Sequence, residues 1–174
     1  MKVNKSTIPS GSLIENYLPA DYSDVYACEV DFEKEIIPDD IMVNFWTDLP
    51  NWINGLFKLR NFLVKFVGLK SSEGDNVKEF ENCIRTGETY NFVSVPAKNT
   101  NETVLLLSDK HLNAYLSVFI VSKERHKTIS AITLVHFKNK LGRIYFFLIR
   151  PFHSIIVKSL LKRAVNEVVC SNND

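Results

Sequence analysis

The sequence carries almost no net charge, with 21 Lys and Arg against 20 Asp and Glu over 174 residues. A balance of +1 offers no overall field for capturing nucleic acid or an anionic membrane. Cysteine is scarce: Cys28, Cys83 and Cys170 are far apart, odd in number and form no C-x-x-C pair. Reduced thiols are expected, not a disulfide framework. No uninterrupted apolar run approaches the ~18 residues of a membrane span, so no stable membrane insertion is expected. Met1 to Ser12 holds Lys2 and Lys5 but no apolar stretch of the kind that directs secretion, which makes a cytoplasmic location the default expectation. His111, His126, His136 and His153 are scattered without an i, i+4 pair, and no cysteine has zinc-site spacing, so no metal is expected. P-loop, G-x-G-x-x-G and G-x-S-x-G motifs are all missing, and nothing calls for a cofactor.

What is present is ordinary globular usage, 45% hydrophobic and 24% charged, with 12 Phe to fill or line a wide interior. The length suits one domain. Residues 1–20, interrupted by Pro9, Gly11 and Pro19, read as an N-terminal arm; 21–170 form the domain and 171–174 a tail. From Tyr22 to Phe32 the chain alternates, with Tyr22, Tyr26, Cys28, Val30 and Phe32 on one face, and predicts a half-buried strand. Pro38-Asp39-Asp40 opens a helix with an apolar stripe through Phe45 and Trp46, ended by Pro50. A second helix is predicted over Trp52–Val67, and residues 70–88 read as a polar loop. Five strand-like segments follow: Thr89–Val95, Thr103–Ser108, Leu112–Ser122, Thr128–Phe137 and Arg143–Ile149. Their short links imply antiparallel neighbours. A final helix is predicted from Pro151 to about Val169. The class expected is α+β, an antiparallel sheet curved around one long C-terminal helix, with two short helices after the first strand. The space between them would hold a ligand.

Several side chains invite chemistry. Asp109, His111, Asn113, Tyr115 and Ser117 share one strand face, where Asp109 and His111 could form an acid–base couple. Alternation favours the plainer reading: Asp109 makes the turn, the polar row faces water, and the apolar row with Leu116 faces the cavity. His153 is placed at the start of the final helix, where a hydrogen bond to a neighbouring loop is expected over catalysis. Arg60, on an apolar helix face, either meets a carboxylate ligand or reaches out to water. Residues expected to line the cavity are Trp46, Trp52, Leu56, Arg60, Tyr90, Leu116, Ile156 and Leu160. The two last predicted strands are apolar on both faces, which calls for cover by the N-terminal arm or for a homodimer interface.

Three stretches are similar to a family of uncharacterised, mainly bacterial proteins, domain of unknown function 2867. They run from Pro50-Asn51-Trp52 to Gly68-Leu69-Lys70, over Asp109-Lys110-His111-Leu112, and from His136 to Arg143 and on to Pro151-Phe152-His153 and Ile156-Val157. The family resembles the wider helix-grip superfamily of lipid-transfer domains, plant pathogenesis-related proteins and polyketide cyclases. The resemblance implies a helix-grip fold (START-like, Bet v 1-like) with a hydrophobic cavity and supplies no catalytic residue. Where the family usually reads Leu-Asp-Phe-Arg, this chain has Leu112-Asn113-Ala114-Tyr115, which removes an Asp–Arg pairing. The expected function is binding of a hydrophobic small molecule or lipid. The alternatives are an enzyme of the cyclase, lyase or isomerase type, or a protein–protein interaction module.

Overall fold

Alternation along the first long strand sets the frame, because one row of its side chains meets helices and the other meets the N-terminal arm. The computed structural model describes residues 1–46 and 77–171; the helix expected over Trp52–Val67, with Trp52, Leu56 and Arg60, lies outside them. The described elements are β1 (Val3–Lys5), a short 3-10 helix (Leu13–Tyr17), β2 (Tyr22–Asp31), α1 (Pro38–Trp46), α2 (Val77–Thr86), β3 (Val93–Lys98), β4 (Glu102–Ser108), β5 (Leu112–Lys123), β6 (His126–Phe137) and α3 (Lys140–Ser171). The strands form one open antiparallel sheet in the order β1-β2-β6-β5-β4-β3. The first long strand is thus drawn back beside the last, and α3 packs against this sheet. The fold is α+β, and among the described residues two helices lie between β2 and the β3–β6 meander.

The main core lies between the sheet's inner face and the helices. Tyr26 and Cys28 of β2, Val118 and Ile120 of β5, and Ile129 and Ala131 of β6 meet Val157, Leu160, Leu161, Ala164 and Val165 of α3. Ile41, Met42 and Phe45 of α1 join the same cluster. On the outer face Val25, Val104, Phe119, Ile132 and Leu134 pack with Ile14, Leu13, Tyr17 and Ile8 of the arm. The doubly apolar character of β6 therefore has its cover in the arm. Glu102, fully buried, holds that cover down: it accepts from Ser12 Oγ (2.7 Å), from the Leu13 and Ile14 N–H groups, and from Ser117 Oγ. Its carboxylate sits where the first N–H groups of the 3-10 helix have no other acceptor.

Two sequence expectations are corrected. Arg143–Ile149 is not a strand and Pro151 does not begin a helix: α3 starts at Lys140 and contains both. The segment is apolar on every side, and such a pattern cannot separate buried strand from helix. The deciding signals are local. Asn139 Oδ1 accepts the Gly142 N–H at 3.0 Å, the bond an N-cap side chain makes. A Cβ on Gly142 would lie 2.2 Å from the His111 carbonyl oxygen, so this glycine serves close approach and not a turn. The second correction concerns 70–88, where Val77–Thr86 is helical. Only Cys83 and Ile84 of that helix are buried, with Phe80 partly so, and the charged residues between them hid the period. Lys98 ties it down, its ammonium donating to the Ile84 and Arg85 carbonyls (3.1 and 3.0 Å) and pairing with buried Asp39 of α1.

Candidate functional site

Residues two apart on a strand share a face, so Asp24 belongs to the inward row of β2 with Tyr22, Tyr26 and Cys28. It is 6% exposed, a carboxylate on the apolar side of the sheet. The β2–β6 register places it directly beside Thr133. From above, α3 lowers His153, whose Nε2 lies 3.3 Å from Asp24 Oδ2 and 3.3 Å from Thr133 Oγ1. The Tyr22 hydroxyl donates to the same Asp24 oxygen at 2.7 Å. Phe146 and Tyr22 pack around the imidazole, with Phe146 and His153 ring centres 6.1 Å apart. The guanidinium of Arg150 lies 5.3 Å over the Tyr22 ring.

Burial alone would push the Asp24 carboxyl up. The hydrogen bond and charge of His153, with Tyr22 and Thr133, outweigh it and hold the group below the ordinary aspartate value. Tyr22 moves the other way: burial and the neighbouring Asp24 carboxylate raise its phenol well above the ordinary value. Tyr26 is raised by burial and then by Asp24. The three groups form one coupled polar island in an apolar layer. Asp24 Oδ1 has no donor at full hydrogen-bond geometry among the described residues, although the Thr133 and Tyr26 hydroxyls lie close enough to the carboxylate to hydrogen-bond weakly with it.

Thr133 also faces a narrow crevice walled by Met42, Phe45 and Trp46 of α1, Leu116 and Val118 of β5, Ala131 of β6 and Val157 of α3. As the walls stand, the room between them is on the order of one water molecule. The indole Nε1 of Trp46 is buried there without a hydrogen-bond partner among the described residues. Trp46 and Thr133, the cross-strand neighbour of Asp24, line the same gap, which links the orphan donor to the orphan acceptor.

The sequence-derived candidates distribute unevenly around it. Trp46 and Leu116 line the crevice; Ile156 and Leu160 belong to the main core, and Tyr90 packs partly buried against that core near an isolated bridge to Val93. Asp109 turns its carboxylate onto the backbone, its Oδ1 accepting the His111 and Leu112 N–H groups at 2.6 and 2.9 Å. His111 Nδ1 lies 3.1 Å from Asn139 Oδ1, and its carbonyl accepts the Lys138 N–H at 2.8 Å. The 109–111 turn thus seats the start of α3. The row beyond it does not simply face water: Ser117 is buried under the arm and Tyr115 stacks on Tyr17 at 4.3 Å. His153 is also relocated. It lies within α3, not at a helix start, and its neighbour is a buried carboxylate and not a loop. Asp24 was missed, although an acid at the inward parity between two tyrosines is a readable signal.

The fold and this site together define an α+β antiparallel-sheet domain with a buried Asp–His pair beneath its long C-terminal helix. The chain belongs to the protein family of unknown function designated DUF2867, which it matches over residues 17–160. No curated protein and no solved structure matches it.

Proposed function

We propose that the protein binds a small, mainly apolar molecule with a hydrogen-bonding head, held between α1, α3 and the inner sheet face. The observation that carries this reading is a pair of buried atoms without a hydrogen-bond partner among the described residues: Nε1 of Trp46, a residue lining one apolar crevice, and Oδ1 of Asp24, the cross-strand neighbour of crevice-lining Thr133. Leaving such an atom unsatisfied costs about 1–3 kcal/mol, which an occupant offering one donor and one acceptor recovers. Entry requires the walls to part. The order of strand, two helices, meander and long helix supports a helix-grip fold of the kind that encloses ligands, as the family resemblance implies.

Native mass spectrometry of freshly purified protein tests the reading. A co-purified small molecule, lost in an Asp24→Asn variant that remains folded, is the expected result. Only the bare chain mass, with no retention of long-chain alcohols or aromatic phenols added at micromolar concentration, would sink it.

A second reading draws on the Asp24–His153 pair. A carboxylate that orients an imidazole beside a phenol can move a proton, the requirement of a cyclase, lyase or isomerase. Turnover of a bound ligand that stops in His153→Gln while binding persists would put this reading first.

A further inference from the structure

The near-zero net charge conceals a segregation. Between Arg125 and Asn166 the chain has nine Lys and Arg and no Asp or Glu, leaving twelve cations against twenty acids elsewhere. The same stretch contains the first half of α3. There Leu141, Ile144, Phe147, Leu148, Phe152 and Ile155 are exposed, Phe147 to 73% and Ile144 to 58%. Their spacing of three and four residues puts most of them on one side of the helix, facing away from buried Gly142, Tyr145 and Phe146. Exposed Lys140, Arg143, Arg150 and Lys158 run along one flank of this stripe, with Arg143 4.0 Å from Asp21. The arrangement is a basic helix with a bare apolar face.

We propose that this face docks on the surface of a bilayer containing anionic lipid, with α3 lying in the interface. Charge selects the occupant. A second copy would bring the same cations to the contact. The undescribed 47–76 segment carries Lys58, Arg60, Lys65 and Lys70 against Asp48, Glu73 and Asp75, again the wrong sign. An anionic bilayer accepts both the apolar stripe and the flanking charges. By length and composition the helix could cross a membrane, one 18-residue stretch of it reaching a mean hydropathy of 1.4. Its second half is committed to the fold, with Val157, Leu160, Leu161, Ala164 and Val165 buried in the main core, and in the first half His153 is paired to Asp24. Crossing would strip that core, whereas lying on the surface leaves it intact.

Co-sedimentation of the full chain with vesicles tests this. Vesicles of phosphatidylcholine and phosphatidylserine at roughly 7:3 should pellet the protein, and phosphatidylcholine alone should not. Raising salt from about 0.1 to 0.5 M should release it. Ile144→Ser with Phe147→Ser, exposed positions that leave the core untouched, should weaken binding by about tenfold or more. Lys140→Gln with Arg143→Gln should weaken it through charge alone, with an unchanged far-ultraviolet spectrum. Equal binding to both vesicles, binding to neither, or a dimer that the Ile144→Ser, Phe147→Ser variant makes monomeric would each overturn the proposal.

Discussion

At the scale of single residues, Asp24 is the most informative side chain, because its carboxylate lies in an apolar layer against the His153 imidazole and the Tyr22 hydroxyl. Removing a buried acceptor leaves its donors without a counterpart. Asp24→Asn is expected to lower stability by about 1–3 kcal/mol, read as a lower urea midpoint at unchanged slope. The pH dependence has a definite sign. The folded-state value of Asp24 lies below its ordinary value of 3.8, so its contribution is full above that value and is lost as pH falls through the folded-state value. Below about pH 4 the native protein should therefore lose stability more steeply than Asp24→Asn. Parallel acid-unfolding curves for the two proteins would remove Asp24 from the account of the site. The carboxylate was legible in the sequence as an acid at an inward strand position. Its partner was not, because pairing with His153 depends on where α3 begins, which is a tertiary matter.

At the scale of elements, β2, α1, β4, β5 and β6 follow from alternation and from helix-period stripes, and the sheet's antiparallel order follows from short links. The misplaced last strand and the misplaced start of α3 have a common cause. Ile144 to Ile149 is apolar whichever period is tried, so hydrophobicity could not choose between strand and helix. The choice falls to Asn139, which caps the helix, and to Gly142, which lets it approach the 109–111 turn. Gly142→Ala should force the helix away from the His111 carbonyl and destabilise by about 1–3 kcal/mol, even though alanine is the better helix former. Asn139→Ala should cost about 1 kcal/mol. Thermal melts that place Gly142→Ala at or above the parent protein would show that the helix start is not seated there. Deeper along α3, Leu160 and Leu161 are 2% and 0% exposed. Each should cost about 2–5 kcal/mol on truncation to alanine. Unchanged unfolding midpoints for both would mean that α3 does not form the core.

At the scale of the whole molecule, the sheet has one face for the arm and one for the helices. That division explains why β6, between β2 and β5, is apolar on both sides: one face meets the arm and the other the helices. The segment once expected to be the last strand is helical, so neither it nor β6 offers a free sheet edge. The apolar surplus of the sequence is divided between the arm's contact and the exposed stripe of α3, a division that composition alone does not reveal.

The crevice claim is tested most directly by tryptophan emission in a Trp52→Phe protein, which leaves Trp46 as the one tryptophan. Trp46 lines the crevice, its indole N–H without a partner among the described residues, so an occupant must change its surroundings. Titration with an aromatic phenol or a long-chain alcohol should give a saturable shift at micromolar concentration. Thr133→Val should weaken it by about tenfold, the worth of one buried hydrogen bond. A flat emission signal across the titration, in protein shown to be folded, would contradict a ligand site between α1, α3 and the sheet.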